Sequence, residues 1–164
     1  LEWVLQKVTE LGVSEIYLLE AEYSVVKVPR ERIEKRLQRW TKIVIGAVKQ
    51  SRRSNTPVLH APEQCQTVCT HLQADLKLLF SERESARHLK VILGEFHKPS
   101  VVALAVGPEG GWTSHEEAVF VQHQFHPASL GSSILRTETA AIAALAVLKY
   151  ELEDHEACAP VPSS

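Results

Sequence analysis

The sequence contains no methionine and only three cysteines, and aromatic residues make up 6% of its 164 positions. Cys65, Cys69 and Cys158 are too few for a disulfide framework, so a reducing, cytoplasmic setting is expected. No apolar run approaches the roughly 20 residues that a membrane-crossing helix needs, which argues against a membrane partner. The opening Leu1-Glu2-Trp3 has none of the pattern of a signal peptide. With no initiator methionine and an amphipathic pattern already running at Trp3, the chain reads as cut from a longer one. Also missing are a CxxC pair, a GxGxxG fingerprint, the GK[ST] ending of a P-loop and a GxSxG elbow. Common zinc sites, dinucleotide folds and α/β-hydrolase chemistry therefore have no support. There is no internal repeat and no low-complexity segment.

What is present is the balance of an ordinary globular domain, 45% apolar and 23% charged, at a length that suits one core better than two. The net charge of −2 hides a strong asymmetry. From Lys27 to Arg53 there are ten Lys or Arg against two Asp or Glu, and the remainder carries eight against eighteen. Such a concentration of positive charge suits phosphate attraction, although a solvated helix face would look the same.

Val4, Leu5, Val8 and Leu11 recur at helical spacing, and Gly12 is placed to end that helix. Ile16 to Leu19 reads as a short strand. In the basic segment Ile33, Leu37, Trp40, Val44 and Val48 share one stripe, while Arg32, Lys35, Arg36, Arg39 and Lys42 lie largely off it. Pro57-Val58-Leu59 starts another strand, and Cys65, Val68, Cys69 and Leu72 repeat at helical spacing. A metal reading of Cys65, Cys69 and His71 lacks a convincing fourth ligand, and both cysteines read as core thiols. His115, His123 and His126 read as surface or core histidines, so no metal is expected.

Leu76 to Phe80 is a compact strand, and Ala86, Leu89, Ile92 and Leu93 suggest a helix that Pro99 breaks. Val101 to Val106 is a continuous apolar run, as expected of a central parallel strand covered on both faces. Next comes a helix from about Ser114, with Thr113 and Glu116 at capping-box spacing. Phe125 to Leu130 is a shorter strand. The final helix, from about Glu138 to Tyr150, is apolar nearly all round, which places it in the core or a subunit interface. Residues 1–153 thus form one α/β domain with a mainly parallel sheet flanked by helices, and 154–164 read as a flexible tail.

Two loops follow strands and lead into helices. Gly107-Pro108-Glu109-Gly110-Gly111-Trp112 lets backbone groups approach a ligand unobstructed, at the strand end where open α/β sheets bind ligands, or it is simply a tight connection. In Leu130-Gly131-Ser132-Ser133-Ile134-Leu135-Arg136-Thr137-Glu138-Thr139-Ala140, Arg136 is the only charge between His126 and Glu138. An arginine among apolar neighbours normally meets a carboxylate or phosphate; Glu138 or Glu109 could serve.

These two stretches, with Glu117 following the first, resemble the cofactor-loop motifs of the RsmE family of SPOUT methyltransferases. Gln6-Lys7-x-x-Glu10-Leu11-Gly12-Val13 with Ile16, Arg39-Trp40, and Ala47-x-x-Gln50-Ser51-x-Arg53-x-x-x-Pro57 extend the likeness in register to about Tyr150. The resemblance implies a deep C-terminal trefoil knot, a homodimer, and transfer of a methyl group from S-adenosylmethionine to uridine N3 in 16S ribosomal RNA of the small subunit. Members also carry an N-terminal PUA-like RNA-binding domain that these 164 residues do not include. The cofactor would be held by Leu79, Phe80 and Ser81, by Val106, Gly107, Pro108, Glu109, Gly110 and Gly111, and by Leu130, Gly131, Ile134, Leu135, Arg136 and Ala140. Arg136 is the candidate electrostatic catalyst and Glu138 a candidate base, with Arg36, Arg39, Arg52 and Arg53 on RNA phosphates. Two alternatives stand beside this: a catalytically inactive dimeric RNA-binding module of the same fold, and an α/β enzyme for an anionic small molecule.

Overall fold

Every strand pairing among the described residues is parallel, so helices and long connections must carry the chain back across the sheets each time. The computed structural model describes residues 1–24, 29–81 and 86–153; the expected tail lies outside them. The elements run α1 (Glu2–Glu10), β1 (Glu15–Ile16), α2 (Arg30–Gln50), β2 (Val58–Leu59), α3 (Cys65–His71) and β3 (Leu76–Phe80). They continue with β4 (Arg87–His88), α4 (Leu89–Leu93), β5 (Val102–Val106), α5 (Ser114–Gln122), β6 (His126–Ser129) and α6 (Thr137–Leu152).

The main sheet has the order β4-β6-β3-β5, and β1 pairs separately with β2. Side chains of β3 alternate across it, as a period of two requires. Leu76, Leu78 and Phe80 join Leu89, Ile92, Ala128, Ala144 and Leu148 on one face, under α4 and α6. Leu79 joins Cys65, Cys69, Ala105, Val119, Phe120 and Phe125 on the other, under α3 and α5. A third cluster of Leu5, Trp40 and Val44 joins α1 to α2, which makes Trp40 a core residue.

Two expectations are corrected. Among the described strands β5 lies at the edge, and the interior positions belong to β3, which pairs with β5 and β6, and to β6, which pairs with β3 and β4. A continuous apolar run reports that both faces are covered, which holds for β5, and not how many neighbours it bonds. The helix expected from Ala86 also begins later: Arg87 and His88 form β4 against Ala128 and Ser129, and only Leu89–Leu93 is helical. That five-residue helix is too short for its spacing to mark the start.

α1 ends in a Schellman motif. Gly12 takes φ +107°, its N–H donates to the Thr9 carbonyl, and Val13 N–H donates to the Val8 carbonyl. Arg53 completes this end, donating to the carbonyls of Thr9 (2.6 Å), Val13 (2.9 Å) and Gly12 (3.2 Å). Its guanidinium therefore serves as scaffold between α1 and the exit of α2. Arg53→Met, which keeps the stem and removes the donors, is expected to cost about 2 kcal/mol in urea unfolding.

Cys65 and Cys69 are buried, and burial pushes the Cys69 thiol up to about 11, with Cys65 also raised. Both stay protonated at neutral pH, unlike metal-bound thiolates. Among the described residues no group of three or more His, Cys, Asp or Glu is arranged to hold a metal ion. Nor is any described helix long and apolar enough to cross a membrane.

Candidate functional site

Because β6, β3 and β5 are adjacent and parallel, their carboxyl ends lie along one side of the sheet, from which three connections leave. The loop after β3 starts at Ser81, the one after β5 covers 107–113, and the one after β6 covers 130–136. Side chains brace them to one another. The Trp112 indole N–H donates to the Phe80 carbonyl at 3.2 Å, joining the second loop to the end of β3. The Thr137 hydroxyl donates to the Gly107 carbonyl at 2.8 Å, joining the third loop to the second. Ser81 Oγ donates to the buried Glu117 carboxylate at 2.5 Å, tying the first loop to α5.

The glycines matter here for space and for backbone shape. A Cβ on Gly107 would stand 3.0 Å from Trp112 Nε1, and one on Gly110 would stand 2.8 Å from Tyr23 Cβ. Gly111 (φ +73°) and Gly131 (φ +127°) adopt backbone conformations that other residues rarely take. Ahead of α5, Thr113 and Glu116 form the expected reciprocal capping box.

The expected cofactor residues divide into two groups. Leu79, Phe80 and Val106 lie within the sheet ladder, and the Phe80 carbonyl already accepts the Trp112 indole, so their backbones are committed to the scaffold from which the loops leave. Gly107 to Gly111 and residues 130–135 lie in the loops that follow β5 and β6. Apart from the Gly111 N–H to Pro108 carbonyl bond and the Thr137 contact, the second loop leaves its backbone open between 107 and 111. Backbone groups of 131–135 bond to no described residue, so they are open to solvent or a ligand. Ile134 is 79% exposed, an apolar side chain standing in solvent on the third loop. Ala140 bonds back to the Arg136 carbonyl at 2.8 Å inside α6.

Arg136 is exposed at the N-cap of α6 and makes no ion pair with Glu109, Glu138 or any other described residue. Of the two partners open to it, a carboxylate of the chain is not the one it meets among the described residues, and its exposed guanidinium has donors available for a ligand. Glu138 is half-buried in the first turn of α6.

On α2, Arg32, Lys35, Arg36, Arg39 and Lys42 form one basic stripe. Arg39 is ion-paired with Glu2 at 2.7 Å, while Arg36 makes no described ion pair. Arg52 is exposed just beyond the helix with φ +54°. The sequence reading gave no role to Trp112, Thr137 or Glu116 as braces. A threonine in a first helical turn and a Thr-x-x-Glu spacing both read as local caps, which masks their contacts elsewhere.

The domain is parallel α/β, its glycine-containing loops are braced together at the strand ends, and it carries a basic helix packed on α1. Residues 1–149 match the family model described as an RNA methyltransferase domain, and the chain belongs to that family. It is 34% identical over 158 residues to ribosomal RNA small subunit methyltransferase E of Bacillus subtilis, covering 93% of this chain and 62% of that protein. The enzyme of the same name from Synechocystis is also 34% identical, with 93% and 50% covered. The crystal structure of a ribosomal RNA small subunit methyltransferase E from Neisseria gonorrhoeae, bound to S-adenosyl methionine, superposes with a TM-score of 0.80 at 36% identity. That match covers 92% of this chain and 60% of the other. The chain thus spans half to about three fifths of the length of these relatives.

Proposed function

We propose that this chain is the catalytic domain of an S-adenosylmethionine-dependent methyltransferase acting on N3 of a uridine in 16S ribosomal RNA of the small subunit. The observation that carries this reading is the bracing of the glycine-containing loops after β5 and β6 at the end of β3, with Arg136 exposed on the second of them. The names of the relatives and the bound cofactor of the gonococcal structure support it. The same kinship supports a trefoil knot formed by these loops and a homodimer. Exposed Val147 and Tyr150 on the largely apolar α6 suit burial against a second copy.

The loops fit such a cofactor in their chemistry. Open backbone groups at 131–135 suit the hydrogen-bonding edge of an adenine and the ribose, and the glycines at 107, 110 and 111 leave room for close backbone approach. Bound there, S-adenosylmethionine supplies an electrophilic methyl group. N3 of uracil carries a proton, and its lone pair is delocalised, so it gains nucleophilicity when that proton leaves. Arg136 is placed to stabilise the resulting uracil anion, and Glu138 is the candidate to accept the proton from N3. The rest is positioning: the target base leaves its stack, and the α2 stripe with Arg52 holds the flanking phosphates.

Calorimetric titration with S-adenosylmethionine, with ATP and NAD as controls, tests the cofactor. Mass spectrometry of 16S RNA after incubation tests the product. Selective binding near one site per chain followed by a methylated uridine supports the reading. RNA binding without cofactor binding would instead favour the inactive RNA-binding module.

Arg52 offers a test that separates function from folding. It occupies the left-handed position after α2, where the Arg53 N–H returns to the Val48 carbonyl and a glycine is the usual occupant. Arg52→Gly is expected to stabilise the fold by about 1 kcal/mol in thermal unfolding. It should also weaken RNA binding and lower the salt slope by about one phosphate contact. Unchanged RNA affinity and slope would remove Arg52 from the RNA-binding set.

A further inference from the structure

The buried carboxylate of Glu116 does more than its capping box requires. A capping box uses one oxygen, and here Oε2 accepts from the Thr113 N–H (2.8 Å) and hydroxyl (3.0 Å). The other oxygen, Oε1, accepts from the backbone N–H of Glu22 at 2.9 Å, from a segment 94 residues away in sequence. Glu116 is only 7% exposed, a costly place for a carboxylate unless both oxygens are satisfied, as they are.

The segment it grips, residues 19–24, is a strap. Leu19 bridges Glu63, Glu20 N–H donates to the Glu63 carbonyl at 2.8 Å, and Ala21 is buried. Tyr23 then sits directly on the glycine-rich loop, so close that a Cβ on Gly110 would stand 2.8 Å from Tyr23 Cβ and 3.4 Å from Cγ. From Ser24 the chain reaches Arg30, where the basic helix α2 begins, within six residues. One carboxylate thus clamps together the start of α5, the loop after β5, and the strap that leads into α2.

We propose that Glu116 is a positioning residue that, through the strap and Tyr23, couples RNA engagement on α2 to the conformation of the glycine-rich loop. RNA and cofactor then favour one another's binding. This rests on the methyltransferase reading above and adds a linkage to it. By reciprocity, each ligand must tighten the other by the same factor. The loop has few bonds of its own between 107 and 111, so the Tyr23 contact and the clamp constrain it from outside.

The test uses S-adenosylhomocysteine, which binds without reacting, and a 16S ribosomal RNA transcript containing uridine. Cofactor affinity is measured by calorimetry with and without saturating RNA. The unaltered chain is expected to bind the cofactor form roughly fivefold or more tightly with RNA present, within the usual range of allosteric coupling. Tyr23→Ala, at a half-exposed residue that leaves the carboxylate network intact, is expected to bring that ratio to about one while each ligand alone still binds. Glu116→Gln presents an amide N–H₂ to N–H donors and should do the same, with Glu116→Asp restoring part of the ratio. A purely structural role would lower stability and leave the ratio in place.

An unaltered chain that binds both ligands independently overturns the coupling, as does a folded Tyr23→Ala chain that keeps the full ratio. If the unaltered chain binds no S-adenosylhomocysteine at all, the methyltransferase reading itself fails and takes the coupling with it.

Discussion

Replacing Arg136 by alanine is expected to lower the single-turnover rate of RNA methylation by about 10² to 10³, equivalent to about 3–4 kcal/mol of lost charge stabilisation. Melting temperature should hardly move. The side chain is exposed and makes no described ion pair, while the structural duty of the residue, accepting the Ala140 N–H, belongs to its backbone carbonyl. Arg136→Lys should recover part of the rate, because a point charge remains but the planar fork of donors is lost. The comparison is made at saturating cofactor, so that any share of Arg136 in cofactor binding does not enter the rate. A rate within threefold of the unaltered chain would remove Arg136 from the chemistry and leave electrostatic stabilisation to another group.

Leu78→Ala should give the largest loss of stability, about 2–5 kcal/mol in urea unfolding. Leu78 has no exposed surface and sits in the central strand, in register with Leu104 on one side and His126 on the other. It packs in the cluster that includes Ala128, Ala144 and Leu148, so its removal opens a cavity beneath α6 that neighbours on three elements cannot readily close. Since a domain is stable by only about 5–15 kcal/mol, this is a large share. Two residues further on, Phe80 supplies the carbonyl that anchors Trp112, so loss of order in β3 should also weaken cofactor binding. The half-exposed Val91 is the control, with Val91→Ala expected within about 0.5 kcal/mol. A cost under about 1 kcal/mol at Leu78 would mean that the sheet is not the stability core.

Much of this was legible in the residues because it is local. The runs Leu76 to Phe80 and Val102 to Val106 declare strands by composition, Thr113 and Glu116 declare a helix start by spacing, and Gly12 declares a helix end. The two strand-end loops stood out because glycine directly after a strand leaves the backbone room to approach a ligand. What the residues could not disclose is which distant groups meet. Thr137 and Gly107 are 30 residues apart, and Trp112 and Phe80 are 32 apart, so neither brace has a spacing signal. Arg53 looked like one more phosphate-binding cation in a basic run, because nothing local shows that three carbonyls of another helix end await it. Arg136 had apolar neighbours in sequence, yet neighbours along a loop are not neighbours in space, and its side chain stands in solvent.

The strand order carries a consequence for synthesis. Of the described strands β6 comes last in sequence, yet it lies between β3 and β4, so β4 has no partner strand until β6 is made. The sheet closes only when β6 arrives, and the second and third loops are joined only when Thr137 follows it. On a ribosome adding residues in order, the domain passes most of its time as a chain whose loops are not yet tied. Joining of the loops therefore awaits the start of α6, and a product that stops short of Thr137 leaves the second and third loops untied.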